Sequence, residues 1–210
     1  MHLYLSSYRF GDNPEQFSNM YGTNRRVALI SNALDSFSDI TRRKLSEEEQ
    51  LSSLTDLGLF PESIDLRNYF GKQNELDKKM QEFGGVWVRG GNAFVLRLAY
   101  KLSGFDLIMQ EMHHTRKDFV YGGFSAGVCV LAPSLKGLEL VDYPEETQVA
   151  YQQPALYEGL GIIDFAFAPH YRSAHQESEM IEQVVEYYKK QEITYRALRD
   201  GEVIILRERT

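Results

Sequence analysis

The stretch DFVYGGFSAGVCVLAP, residues 118–133, runs from a strand-like segment through a serine into an apolar, helix-like segment. Its centre is a Gly-x-Ser-x-Gly pattern in which Ser125 lies between Gly123 and Gly127. Small neighbours permit a sharp strand-to-helix turn that exposes the serine hydroxyl. The first N–H groups of the following helix are unpaired and can bind a developing oxyanion. The stretch therefore predicts one strand–turn–helix unit of an α/β protein, with Ser125 as the candidate nucleophile.

The same pattern also occurs by chance, and a serine can be no more than a small residue in a tight turn. A serine hydroxyl is a weak nucleophile unless a neighbouring base takes its proton. Of the five histidines, His170 closes the apolar run IIDFAFAP at a predicted strand end. The other four lie near the N terminus or in polar segments. We therefore expect His170 to be the base that serves Ser125.

Working outward from this stretch, short apolar runs alternate with helical patterns along the whole chain. The predicted strands are 3–7, 26–33, 62–70, 84–91, 118–125 and 161–171, and the predicted helices are 40–58, 76–83, 92–102, 105–114 and 179–190. Residues 195–208 predict a closing β-hairpin with Asp200-Gly201 at its turn. Apolar strands without polar alternation are typical of a mostly parallel sheet with helices on both faces. We expect a single three-layer α/β domain over residues 1–210, with its site outside the carboxyl ends of the strands.

The composition of the chain limits the classes of function that it can have. The 210 residues contain no repeat and no Pro/Gly/Ser-rich linker, and the formal net charge of -7 argues against nucleic acid as the main partner. The single cysteine, Cys129, excludes an intrachain disulfide, and we expect it to be a buried small residue. No apolar run approaches the roughly 20 residues of a membrane span. The start of the chain lacks the pattern of a secretory signal, so we expect a cytoplasmic protein.

A second predicted strand that ends in glycines is followed by a helical pattern at VRGGNAF, residues 88–94. Its two glycines let the backbone approach a ligand, and Asn92 can cap the next helix. A phosphate-binding loop is the competing interpretation, but no Gly-Lys-Ser/Thr follows. No cluster has the spacing of metal ligands, so we expect neither a metal nor another cofactor.

Taken in order, RGGN, GFSAG and PHY resemble the peptidase E family of serine peptidases, which includes α-aspartyl dipeptidases and cyanophycinases. The resemblance extends from VALISNA to GLGIIDFAFAPHY. It implies a class I glutamine amidotransferase-like fold in which a serine replaces the usual cysteine. It also implies Ser125 as nucleophile, His170 as base, and an oxyanion hole formed by the N–H groups of Gly91 and Ala126.

The resemblance leaves the acid of the triad open. In peptidase E the acid precedes a methionine and a proline, and Asp142-Tyr143-Pro144 looks similar, so Asp142 is the predicted acid. Glu145 and Glu146 are rivals, because cyanophycinases use a glutamate. Spacing alone does not choose among the carboxylates between Ser125 and His170.

Substrate preference departs from the family pattern. Aspartyl dipeptidases carry a threonine-arginine-glutamate stretch after the histidine, and RSAHQESEMIEQ, residues 172–183, has none. We assign Asn92 and Arg172 to substrate binding, with Arg172 as the substitute cation, and we expect little preference for Asp-X peptides.

The sequence therefore predicts a serine-type peptidase that hydrolyses small peptides through an acyl-enzyme. We expect neither nucleic acid nor a membrane as a partner, and the chain is compatible with a homodimer. One alternative is an α/β-hydrolase-type esterase, which shares the Gly-x-Ser-x-Gly pattern but also carries a His-Gly-Gly oxyanion motif that is missing here. Another is a non-catalytic binding module on the same fold.

Overall fold

The computed structural model describes residues 1–207. Within this range the strands are β1 (His2–Ser6), β2 (Arg26–Ile30), β3 (Phe60–Ser63), β4 (Gly85–Val88), β5 (Val120–Phe124), β6 (Ala166–Ala168), β7 (Tyr195–Ala197) and β8 (Val203–Leu206). The α-helices are α1 (Glu15–Ser18), α2 (Ile40–Asp56), α3 (Gln73–Met80), α4 (Ala93–Ser103), α5 (Phe105–Thr115), α6 (Ala126–Cys129), α7 (Glu146–Tyr151) and α8 (Ser178–Lys190).

Six strands form the central sheet in the order β3-β2-β4-β5-β1-β8. All neighbouring strands run parallel except β8, which pairs antiparallel with β1. Strands β6 and β7 form a separate parallel pair. Because β1, β4 and β5 are parallel neighbours, their carboxyl ends meet at one edge of the sheet.

Helices cover both faces of the central sheet. Residues of β4 alternate between two apolar clusters, with Val86 and Val88 on one face and Trp87 on the other. The larger cluster packs the sheet against α3, α4, α5 and α8. The smaller one packs it against α1 and α2, through Phe17 and Leu54. This arrangement confirms the predicted three-layer α/β class.

Some predicted elements differ from the structure. The segment 62–70 was expected to be one strand, but only β3 is extended and residues Leu66–Tyr69 form a 3-10 helix. The predicted hairpin over 195–208 is wrong, because β7 pairs with β6 whereas β8 pairs with β1. Glu208, the last residue of that prediction, lies outside the described residues.

No helix within the described residues is both long enough and apolar enough to cross a membrane.

Candidate active site

Two loops at the carboxyl edge of the central sheet and the segment that follows β6 line a cleft of about 260 Å³. The loop after β4 contributes Arg89, Gly90 and Gly91, and the end of β5 contributes Ser125. His170 enters from the segment that follows β6. The structure thus brings together the two side chains that the sequence predicted as nucleophile and base.

Ser125 occupies a strained turn between β5 and α6. Its backbone has φ 50° and ψ -119°, a conformation that non-glycine residues rarely adopt. The turn needs close packing: a Cβ atom at Gly127 would lie 2.4 Å from the carbonyl oxygen of Val88. The N–H of Ser125 donates to the carbonyl of Ser6 at the end of β1, at 3.3 Å. This geometry is that of a nucleophile elbow, in which the hydroxyl is held at the tip of a tight turn.

Two backbone N–H groups beside the serine are free to bind an anion. Within residues 1–207, neither the N–H of Gly91 nor that of Ala126 donates a hydrogen bond. Gly91 has φ 145°, and a Cβ atom there would lie 2.6 Å from the carbonyl oxygen of Ala33. The loop after β4 can therefore adopt this path only with glycine at position 91.

His170 is 2% exposed, and its imidazole has a carboxylate partner. Its Nδ1 lies 2.7 Å from Oδ1 of Asp200. Burial lowers the pKa of His170, the neighbouring His175 lowers it further, and the Asp200 carboxylate opposes both effects. The imidazole is therefore held neutral, with Nε2 available as a base when Nδ1 donates to Asp200.

Other rings hold the imidazole in place. The ring of His175 stacks on that of His170 at a centroid distance of 3.7 Å and an interplanar angle of 9°. Tyr8 packs against both rings, at 5.8 Å from His170 and 5.6 Å from His175. Ser125 and His170 line the same cleft but are not hydrogen-bonded to each other. Catalytic hydrogen bonds often tighten only when substrate binds.

Asp142, the predicted acid, does not contact His170. Its Oδ2 accepts a hydrogen bond from the N–H of Ala93 at 2.8 Å, at the start of α4. Burial raises the pKa of Asp142 to about 8. This geometry does not match the sequence-based expectation for Asp142. The carboxylate bonded to Nδ1 of His170 is that of Asp200, and Oε2 of Glu177 lies 3.9 Å from its Nε2.

The two rival glutamates are also placed elsewhere. Glu146 accepts hydrogen bonds from Ser36 Oγ at 2.6 Å and from Asn92 Nδ2 at 3.0 Å. Glu145 is exposed at the start of α7. Neither forms a hydrogen bond with His170 in the described part of the chain.

The two residues assigned to substrate binding lie outside the cleft lining. The side chain of Asn92 caps α4, accepting from the N–H groups of Phe94 at 2.9 Å and Val95 at 3.1 Å. Arg172 is exposed, and its guanidinium lies 5.1 Å from the ring centroid of Tyr171. The capping part of the Asn92 interpretation fits the structure, and the assignment of Asn92 and Arg172 to substrate binding stays a prediction.

Arg89 is a partly buried cleft cation that sequence reasoning missed, as it missed the exposed Arg42 in the same lining. The Nε of Arg89 donates to Ser46 Oγ at 2.9 Å and its Nη1 to the carbonyl of Gly90 at 2.7 Å. It forms no ion pair within residues 1–207, and burial lowers its pKa. Its position immediately after a buried strand, before two glycines, was the available signal.

One group of side chains is close enough to suggest a metal site. The ligand atoms of His170, His175 and Glu177 all lie within 4.8 Å of one another. Imidazole lone pairs lie in the ring plane, and the two histidine rings are stacked face to face. They therefore cannot both point at one ion without reorienting. This geometry gives no reason to propose a metal, although the sequence-based expectation of no metal stays a prediction.

Comparison with known families gives one match over nearly the whole chain. The family model of peptidase family S51 matches residues 5–210. An uncharacterized peptidase of Listeria monocytogenes is 29% identical over 142 residues, 67% of this chain and 65% of the relative. Peptidase E of Streptomyces coelicolor is 29% identical over 128 residues, 59% of this chain and 49% of the relative. The chain thus spans less than two thirds of the length of these relatives.

Solved structures give the same fold. A Listeria monocytogenes crystal structure, described as a candidate peptidase E, superposes with a TM-score of 0.73 at 24% identity, covering 99% of this chain and 98% of that one. A peptidase from an acI-B1 actinobacterium superposes with a TM-score of 0.66 at 13% identity, covering 98% and 83%. These similarities confirm the predicted amidotransferase-like architecture.

Proposed function

The chain belongs to peptidase family S51, and on this premise we propose that it hydrolyses short peptides with Ser125, His170 and Asp200 as its catalytic triad. The observation that carries the proposal is the 2.7 Å contact between His170 Nδ1 and Asp200 Oδ1, in the same cleft as the Ser125 elbow. A serine at a strained turn and a neutral, carboxylate-bound imidazole are the two parts that acyl transfer requires.

In the proposed reaction, Ser125 Oγ attacks the carbonyl carbon of the scissile peptide bond, and His170 Nε2 takes the hydroxyl proton. The carbonyl oxygen becomes an oxyanion and accepts hydrogen bonds from the N–H groups of Gly91 and Ala126. The imidazolium, stabilised by Asp200, gives its proton to the leaving amine as the peptide bond breaks. Water, deprotonated by the same imidazole, then attacks the acyl-enzyme. This second step releases the acid and returns the proton to Ser125.

The family match argues against the esterase alternative. The model of peptidase family S51 matches residues 5–210, and solved peptidase structures superpose over 98–99% of the chain. The order of acid and histidine along the chain does not separate the two classes, because the family resemblance and the α/β-hydrolases both place the acid before the histidine.

For the substrate, the expectation from the sequence was little preference for Asp-X peptides, and we propose instead a short peptide that places an acidic side chain near Arg89. The guanidinium of Arg89 lines the cleft and has no carboxylate partner within the described residues. A desolvated cation without a counter-ion favours an anionic ligand group. Arg89, rather than the exposed Arg172, is therefore the arginine that a substrate carboxylate would meet. The proposed location is the cytoplasm, on the sequence argument of a single cysteine.

Covalent labelling tests the proposed function directly. A fluorophosphonate should modify the wild-type protein at Ser125, located by peptide mass spectrometry, and should not modify Ser125→Ala. A dipeptide library should be hydrolysed by the wild type and not by Ser125→Ala, since loss of the nucleophile removes roughly 10⁶ of the rate in a well-studied serine protease. Circular dichroism confirms that the variant is folded. A wild type that is neither labelled nor active would instead support the non-catalytic binding module.

A further inference from the structure

Ser7 lies immediately after β1, at the edge of the sheet where the site is built. The preceding residue, Ser6, accepts the hydrogen bond from the N–H of Ser125. The backbone N–H of Ser7 itself donates to the carbonyl of Glu202, at 3.2 Å. The side chain of Ser7 is completely buried, with 0% exposure. The end of β1 therefore connects the nucleophile turn with the segments that carry His170 and Asp200.

The hydroxyl of Ser7 contacts both members of the His170–Asp200 pair. It accepts a hydrogen bond from the backbone N–H of His170 at 2.8 Å. It also lies 3.0 Å from Asp200 Oδ1, the same oxygen that contacts the imidazole, and 3.3 Å from the carbonyl of Leu198. A hydroxyl has one proton, so it donates to Asp200 or to Leu198 while accepting from His170.

We propose that Ser7 is a positioning residue, whose hydroxyl fixes the His170 backbone and the Asp200 carboxylate relative to each other. The inference rests on the triad of the proposed function. Because one buried hydroxyl bonds to both partners, its position sets the distance between the imidazole and the carboxylate. The neighbouring residue, Ser6, accepts the hydrogen bond from the N–H of Ser125, so the same strand end also positions the nucleophile turn.

The backbone conformation of His170 shows why an acceptor at Ser7 is needed. His170 has φ 58°, in the left-handed region that non-glycine residues seldom occupy. Without Ser7 Oγ, its buried N–H would lack an acceptor, and an unpaired buried donor favours rearrangement of the segment. The ring would then move away from Asp200 and from the cleft.

The test compares Ser7→Ala and Ser7→Cys with a matched buried serine. Ser103 is 1% exposed, accepts from the N–H of Phe105 and donates to the carbonyl of Ala99, but it lies in α4, outside the site. Ser7→Ala and Ser103→Ala should both lower the melting temperature. Only Ser7→Ala should lower kcat, by about 10- to 100-fold, the range that one hydrogen bond to a charged group corresponds to. KM should stay unchanged. The kcat of Ser7→Cys, whose S–H group is a weak donor, should lie between that of the wild type and that of Ser7→Ala.

A second readout does not depend on activity. The proton NMR resonance of His170 Nδ1–H, assigned with Asp200→Asn, should shift upfield in Ser7→Ala and stay in place in Ser103→Ala. A kcat of Ser7→Ala equal to that of the wild type, together with an unshifted resonance, would overturn the inference. If the triad itself is wrongly assigned, either the wild type fails the fluorophosphonate labelling or Asp200→Asn keeps the wild-type kcat, so a failure of the triad and a failure of the Ser7 inference are distinguishable.

Discussion

His170 is the residue at which the opposing physical effects in this site are most evident. Burial and His175 favour the neutral imidazole, whereas Asp200 favours the charged one. The net direction is a pKa below the ordinary value of about 6.5. A base that is neutral at neutral pH suits the first step of acyl transfer, which begins with proton abstraction from Ser125.

The pH profile should therefore have an acidic limb whose midpoint lies below that of an ordinary histidine. The base form of His170 is lost as the pH falls through its lowered pKa, so the midpoint of the limb in kcat/KM should lie below about pH 6.5. His175→Ala removes one of the effects that lower the pKa and should shift the limb to higher pH. The measurement is kcat/KM from pH 5 to 8 for both proteins. A limb that does not shift in His175→Ala would show that the stacked ring does not influence the base.

The acid of the proposed triad is the residue for which the sequence-based prediction and the structure differ most. Asp200→Asn should reduce kcat by roughly 10⁴, as expected when the carboxylate that holds the imidazole tautomer is lost. Asp142→Asn should stay near wild type, because an amide oxygen can still accept from the N–H of Ala93. Both variants are compared by kcat and by fluorophosphonate labelling rate. An inactive Asp142→Asn beside an active Asp200→Asn would restore the sequence-based choice.

Among the elements, the strands and helices near the cleft were predictable because their apolar patterns are long and their ends carry glycine. Val86 to Val88 and the segment before Ser125 are examples, and Ser125 and His170 followed from their positions at strand ends. Asp200 was not predictable in this way. Asp200-Gly201 between two strand-like runs favours a hairpin, and only pairing of β7 with β6 and β8 with β1 brings that turn to His170. Partner choice between strands depends on long-range packing, which a local pattern does not encode.

The contact between α6 and β4 is the element-level feature that holds the nucleophile turn. Gly127→Ala would place a methyl group 2.4 Å from the Val88 carbonyl oxygen, which is backbone and must shift. We expect the free energy of unfolding to fall by about 1–3 kcal/mol, as overpacking does elsewhere. Activity should fall as well, because Ser125 is the N-cap residue of α6. Urea denaturation and kcat measure the two effects.

Gly22→Ala provides the control for that experiment. Nothing lies within 4 Å of a Cβ atom at Gly22, and its φ is not in the left-handed region. It should keep both stability and activity near wild type. If Gly127→Ala matches Gly22→Ala in both stability and kcat, the α6–β4 contact has room for a methyl group.

At the scale of the whole molecule, the charge distribution of the chain and that of its cleft have opposite signs. The chain has a formal net charge of -7, yet the cleft lining has two arginines, Arg42 and Arg89, against one carboxylate, Glu177. A neighbouring cavity of about 360 Å³ shares both arginines. Its Arg9 is paired with Glu49 at 2.8 Å and its Arg43 with Asp35, so these cations are largely neutralised. Of the two arginines that line the cleft, Arg89 is the one more shielded from water, and it forms no ion pair with any residue in the described range 1–207; it lies next to the proposed catalytic residues.

This opposition of signs predicts how substrate preference depends on Arg89 and on salt. At low salt, kcat/KM for Asp-Leu should exceed that for Ala-Leu, because the local guanidinium is closer to the substrate than the dispersed negative charge. Arg89→Met should reduce the Asp-Leu value by about 10- to 100-fold, the cost of one charge-assisted hydrogen bond, and affect Ala-Leu less. Arg172→Met, which removes an exposed arginine, is the matched control and should leave the ratio of the two kcat/KM values unchanged.

Raising the salt from 0.01 M to 1 M shortens the screening length from about 30 Å to about 3 Å. Long-range repulsion by the net charge is then removed, whereas direct pairing with the partly buried Arg89 is screened much less. Most of the preference should therefore persist at high salt in the wild type and be missing from Arg89→Met at every salt concentration. A preference that Arg172→Met abolishes, and Arg89→Met does not, would place the substrate carboxylate outside the cleft described here.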